Sequence, residues 1–238
     1  MTAATVCRTC GTEPLENARF CHSCGAPVTG ETRPAEYKQV TVLFADVVRS
    51  MDIAAAVGPE RLREIMTDVF HRCADVVRRY GGTVDKFTGD GIMALFGAPV
   101  SLEDHALRAC LAAMEIQLQA QALADELERH DHIMLQLRVG LNSGQVIAGE
   151  LDAAPMSYTA IGEQVGMAQR MESVAPPGGV MLSESTARLV EDAAVLGASE
   201  LVRIKGQEAP VHAHVLKGVQ TRLSPKELSR VSLGGAGN

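Results

Sequence analysis

Two sets of residues in this 238-residue chain have the types and spacing to hold metal ions. Cys7-x-x-Cys10 and Cys21-x-x-Cys24, each pair followed by glycine (Gly11, Gly25), place four thiolates on two tight knuckles that can aim at one tetrahedral Zn²⁺. His22, inside the second pair, is expected to face solvent rather than act as a fifth ligand. Asp46 ends the apolar run VTVLFAD, and Asp90 sits in KFTGDG together with Lys86. If those two segments bring their tips side by side in a sheet, the carboxylates can share a pair of divalent cations. Taken singly, an Asp at a strand end also serves as a helix N-cap, FTGD also reads as a plain turn, and Lys86 as a solvated hairpin charge.

The elements that must position these groups follow from periodicity. VTVLFAD reads as a buried strand from Val40. PERLREIMTDVFHRCADVVRRYG reads as an amphipathic helix with Pro59 at its first turn and Gly81 at its end. GTVDKFTGDGIMALFG reads as a β-hairpin turning at Thr88-Gly89-Asp90-Gly91, and LEDHALRACLAAMEIQLQAQALADELERH as a second long helix. IMLQLRVGLNSGQVIAGEL suggests two strands joined by a turn at Asn142-Ser143-Gly144. GEQVGMAQRMESV is then a helix, GGVMLSE a short strand, STARLVED a short helix, and VHAHVLKG a closing strand with His212 and His214 pointing outward.

Composition bounds the class. Apolar residues make up 46% and charged residues 21%, with 3% aromatics and no Trp, so the core must be aliphatic. The formal charge of −7 argues against broad phosphate neutralisation, and only Arg8, Arg19 and Arg33, with Phe20, lie near the cysteines, so nucleic acid is not the expected partner. The cysteine-rich segment is too poor in apolar residues to fold on a core, so zinc would have to supply its stability. The N-terminus lacks the pattern of a secretory signal and no apolar run is long enough to span a bilayer, which leads to the expectation of a cytoplasmic protein with reduced thiols and no membrane segment. The expected organisation is a zinc ribbon over 1–30, a linker over 31–39, a catalytic domain over 40–218, and over 219–238 a flexible tail or a linker to a further domain.

Several of these segments, in order, resemble the motifs of class III nucleotidyl (adenylyl and guanylyl) cyclases. VTVLFADVVRSMDIA is similar to their first metal motif, KFTGDGIMALFGAP to their K-x-x-G-D hairpin, and LRVGLNSGQVIAGELDAAPMSYTAIGEQVGMAQRMES to their third and fourth blocks. The likeness runs from about Val40 to Leu216 and implies an α+β fold, a ferredoxin-like βαββαβ cyclase domain preceded by the small four-cysteine zinc ribbon. It implies that Asp46 and Asp90 bind two Mg²⁺ or Mn²⁺ ions, that backbone N–H groups of Val47, Val48, Arg49, Ser50 and Met51 face the phosphates, and that ATP is cyclised to cyclic AMP with loss of pyrophosphate. Lys86 matches the base-reading lysine, Thr159 the position that accepts from the adenine amino group, and Arg170 the arginine that neutralises the transition state. Otherwise Thr159 is a strand residue of suitable propensity, and Arg170 a surface ion-pair partner of Glu163 or Glu172. One departure stands out: the pattern V-N-x-A-x-R has Asn where this chain has Gly166, a lost polar contact that Gln164, Gln169 or water would have to replace. The resemblance further implies a homodimer with Asp46 and Asp90 of one subunit facing Lys86, Thr159 and Arg170 of the other, with the ribbon free to meet a regulatory partner. A catalytically silent domain that binds ATP or dimerises for signalling is the alternative raised by Gly166.

Overall fold

The structure is a computed structural model and describes residues 7, 10–13, 15, 21–24, 35–150, 158–207 and 209–220. The expected arginines at 8, 19 and 33, Phe20, and the tail beyond 220 lie outside them.

The continuous apolar run ending at Asp46 forms β1 (Glu36–Val47), which starts four residues inside the stretch expected to be linker. It pairs antiparallel with β3 (Gly91–Phe96) on one side and β4 (Leu137–Glu150) on the other. Both faces of β1 are covered, which is why its sequence does not alternate. Leu43, Ala45 and Val47 pack with α1 (Ser50–Arg79) and α2 (His105–Asp131) in the main core, while Val40, Val42 and Phe44 pack with Val165 and Ala168 of α3 (Glu163–Val174). By the same alternation Asp46 comes out on the α3 face.

With β2 (Thr83–Phe87) at the edge, the order β2-β3-β1-β4 is that of a ferredoxin-like βαββαβ unit. The sheet continues through β6 (Val180–Ser183), parallel to β4, to β9 (Val211–Val219) and β7 (Ala194–Leu196); β5 (Tyr158–Ile161) pairs with β4 and β8 (Glu200–Val202) with β9. The short α4 (Glu184–Leu189) is capped by Ser183, whose hydroxyl accepts from the Thr186 N–H. No described helix is long and apolar enough to cross a membrane.

Three expectations change. The helix after β1 begins at Ser50, and Pro59 opens only its second part, because Gly58 (φ 79°) breaks the helix there. Asn142-Ser143-Gly144 is not a turn: β4 runs straight through it, with Val42, Thr41 and Val40 opposite. Its polar side chains are satisfied sideways instead. Asn142 donates to the Gln164 carbonyl (2.9 Å) and side-chain oxygen (2.8 Å), and the Ser143 hydroxyl bonds those of Thr41 (2.7 Å) and Thr186 (2.9 Å). His214 does not point to solvent; its Nε2 lies 2.9 Å from a Glu184 carboxylate oxygen.

Candidate active site

The tip of β1 and the β2–β3 hairpin are locked together by register. Asp46 lies opposite Gly91 on one side and Arg138 on the other, and the Val47 N–H donates to the Asp90 carbonyl at 3.1 Å. The expected neighbourhood of Asp46 and Asp90 is therefore present. It opens on a cavity of about 190 Å³ lined by these two residues, by Val47 to Met51, and by Arg138 and Glu172.

Two glycines make the approach possible. A Cβ on Gly91 would stand 2.5 Å from Asp46 Oδ1, so any larger residue would fill the cradle between the carboxyls. A Cβ on Gly140 would meet the Glu172 backbone nitrogen at 2.0 Å, so only glycine lets α3 lie close enough on β4 to bring Glu172 to the cavity.

The electrostatics are those of a cation site. Burial, then repulsion from Asp90, then a hydrogen bond with it push Asp46 up to about 7, against the pull of Arg138. Asp90 is instead held below the usual carboxylate range, chiefly because the Ser50 hydroxyl donates to it at 2.6 Å. Burial raises Glu172, again opposed by Arg138. Three carboxyls thus face one guanidinium, whose buried Nε has no hydrogen-bond partner among the described residues. Hard carboxylate oxygens suit Mg²⁺ or Mn²⁺, and the orphaned Nε suits an anion brought beside them.

Sequence reasoning missed Arg138 and took Glu172 only as a surface partner for Arg170. The signal was present: Ala168, Met171 and Glu172 share one helical face, and a charged residue beside two buried apolar ones must answer to something in the interior. The turn expected to face phosphates also narrows. The Val47 N–H is taken by the Asp90 carbonyl and the Val48 N–H by the Gln136 carbonyl (2.9 Å), leaving those of Arg49, Ser50 and Met51, at the start of α1, without an acceptor among the described residues.

The other expected residues lie outside this cavity. Lys86 Nζ and Thr159 Oγ1 meet at 3.2 Å, joining β2 to β5. The carboxylate of Asp85, which sequence reasoning passed over, accepts from Thr159 at 2.7 Å. Arg170 is not drawn into either group and has no hydrogen-bond or ion-pair partner among the described residues, so the ion pair with Glu163 or Glu172 that stood as its alternative reading is absent. Beside it, a Cβ on Gly166 would sit 3.7 Å from Arg170 Nη1, an ordinary contact. The Gln164 side-chain oxygen accepts from Asn142 and its side chain packs over Gly144.

The four N-terminal thiols converge. Cys7, Cys10, Cys21 and Cys24 place all their sulfurs within 4.8 Å of one another, and the pairs Cys7–Cys24 and Cys10–Cys21 stand at 3.6 Å. A disulfide requires about 2.05 Å. Sulfurs bound at about 2.3 Å to one tetrahedral ion lie roughly 3.8 Å apart, close to the observed edges. Cys73 and Cys110 are instead buried in α1 and α2, where desolvation pushes both thiols up to about 12 and leaves them inert.

Comparison with known proteins agrees with this geometry. The family model of the adenylate and guanylate cyclase catalytic domain matches residues 32–218. Adenylate cyclase 1 of Rhizobium meliloti (strain 1021) is 26% identical over 197 residues, 82% of this chain and 28% of that protein. The crystal structure of the guanylyl cyclase Cya2 superposes with a TM-score of 0.75 at 29% identity, covering 80% of this chain and 97% of that one. That of the adenylyl cyclase CyaB from P. aeruginosa gives 0.74 at 25% identity, covering 80% and 100%. The chain spans about a third or less of the length of the curated relatives it matches.

Proposed function

The chain belongs to the adenylate and guanylate cyclase family, and within it we propose an adenylyl cyclase that converts ATP to 3′,5′-cyclic AMP and pyrophosphate at the interface of two copies. The observation that carries the choice of base is the contact between Lys86 and Thr159. An ammonium donates to adenine N1, and a hydroxyl oxygen accepts from the adenine 6-amino group. Guanine offers the opposite pattern, a protonated N1 and an acceptor O6.

Asp46 and Asp90 would hold two Mg²⁺ or Mn²⁺ ions. Bound there, such ions acidify the ribose 3′-hydroxyl and neutralise the triphosphate. The remaining work falls to protein groups. The free N–H groups of Arg49, Ser50 and Met51 and the Arg138 guanidinium orient the phosphates; Ser50 holds Asp90 in place; Arg170 of the second copy neutralises charge as the 3′-oxygen attacks the α-phosphorus and the bond to the bridging oxygen of pyrophosphate breaks. Dimerisation is favoured by an exposed apolar row, Tyr37, Ile147 and Ile161, which stand directly opposite one another across β1, β4 and β5. The N-terminal cysteines would hold one structural Zn²⁺ in a small regulatory module, which metal analysis of purified protein would report as one zinc per chain. Purified protein incubated with Mn²⁺ and ATP should form cyclic AMP. Absence of product, or equal product from Asp46→Ala, refutes the assignment.

Gly166 favours a second reading, a cyclase-like domain that binds ATP or dimerises for signalling without turnover. The open space beside it accepts a side chain, so Gly166→Asn is a clean test. A large gain from a near-zero baseline would identify the natural protein as silent.

A further inference from the structure

Asp85 has a buried side chain, 1% exposed, at the β2 residue before Lys86, and it reaches both members of the base-reading pair. One carboxylate oxygen accepts from the Thr159 hydroxyl at 2.7 Å and from the Ala160 N–H at 3.4 Å. The other lies 3.8 Å from Lys86 Nζ. Thr159 is itself buried, so its hydroxyl has few alternatives.

A hydroxyl carries one proton and two lone pairs, and an ionised carboxylate can only accept. With Asp85 taking that proton, the Thr159 oxygen can only accept from its other neighbours, as it does from Lys86 at 3.2 Å. Left free, the same hydroxyl could rotate and donate, and would then serve the guanine O6 as readily as the adenine amino group. We propose that Asp85 is a specificity-determining positioning residue: by fixing the direction of the Thr159 hydroxyl, it makes the site accept a 6-amino purine and reject a 6-oxo purine. The Ala160 N–H fixes the carboxylate in turn, so the chain of polarity runs from the β5 backbone to the base. A site whose buried polar groups are oriented for one hydrogen-bond pattern discriminates far more strongly than one relying on shape.

This rests on the adenylyl reading above, and the test separates the two. Binding of the α,β-methylene analogues of ATP and GTP, which cannot lose pyrophosphate, is measured with Mn²⁺ for wild type, Asp85→Ala, Asp85→Asn and Thr159→Val, alongside thermal melting. Wild type should prefer the adenine analogue. Asp85→Ala should cut that preference about tenfold or more by weakening ATP-type binding while sparing or improving GTP-type binding, the effect of one reoriented hydrogen bond. Asp85→Asn keeps an oxygen for Thr159 and Ala160 and should stay within about threefold of wild type. The double variant Asp85→Ala/Thr159→Val should be no less selective than Thr159→Val alone, because Asp85 acts through that hydroxyl. A wild type without adenine preference overturns the adenylyl reading and this role with it. An adenine-preferring wild type whose Asp85→Ala variant weakens both analogues equally, or whose Asp85→Asn variant loses selectivity as fully as Asp85→Ala, overturns the role of Asp85 alone. If Asp85→Ala does not fold, the Asp85→Asn and Thr159→Val comparison still decides: Asp85→Asn must keep the preference that Thr159→Val loses.

Discussion

The two halves of the proposed site are built on opposite electrical plans. Around Asp46, three carboxyls crowd one guanidinium, Asp46 is pushed up to about 7, and Arg138 Nε has no hydrogen-bond partner among the described residues. Around Thr159, each polar group has found a complement inside the protein: carboxylate, hydroxyl, ammonium and backbone N–H close a small network. The first half holds unmet electrostatic demand that cations and a polyphosphate can satisfy. The second is already satisfied, and its information lies in the direction of its hydrogen bonds. In the proposed enzyme, charge would bind and activate, and a preset network would select.

The contrast can be broken from the metal side first. Asp46→Ala should lower cyclase activity by about 10³-fold or more, the scale of removing a metal ligand or preorganised charge from a phosphoryl-transfer site. Next in size is Gly91→Ala, whose added methyl group would stand 2.5 Å from Asp46 Oδ1. It should cut activity at fixed Mn²⁺ by about 10²-fold through misplacement of the ligand, while leaving the ratio of ATP to GTP binding unchanged; a change in that ratio would show that the two halves are not separable.

A smaller effect tests the electrostatics without turnover. Asp46 is raised in the fold relative to its ordinary value, so ionising it opposes folding. The penalty is absent below about pH 4 and complete above about pH 7 in metal-free protein. Asp46→Asn removes it. In a chelator, its melting temperature should match wild type near pH 4 and exceed it by at least about 2–4 °C at pH 8, the response of a domain of this size to 1 kcal/mol. An advantage that is constant with pH would refute the assigned cause. Smallest of all, and confined to the other half, Thr159→Val should lower the preference for ATP about tenfold, as loss of one directed hydrogen bond does, with Mn²⁺ dependence unaltered in activity titrations.

Much of this was legible in order along the chain. The run from Val40 to Asp46 announced a strand buried on both faces, the Gly-Asp-Gly hairpin announced its turn, and Pro59 marked a genuine helix start after the break at Gly58. Asn142-Ser143-Gly144 misled because its composition is that of a turn, while its partners, Gln164, Thr41 and Thr186, lie on other elements. The short strands β5, β7 and β8 left too few residues for a period to show. Asp85 was passed over beside a lysine with a known precedent, since nothing local says that a carboxylate in a hairpin strand will be buried.

What the sequence determined by itself is local or repeated: the knuckles of the cysteine pairs, the helical and extended periods, and the ordered set of motifs, each of which needs only neighbours a few residues away. Tertiary structure alone decided which side chains share a cavity. The antiparallel register of β1 with β3 and β4 set Asp46 between Gly91 and Arg138, the close approach of α3 at Gly140 brought Glu172 there, and the meeting of β2 with β5 turned Asp85 toward Thr159. Contacts between residues about seventy positions apart carry no local signature, because their energy exists only once the intervening chain has folded.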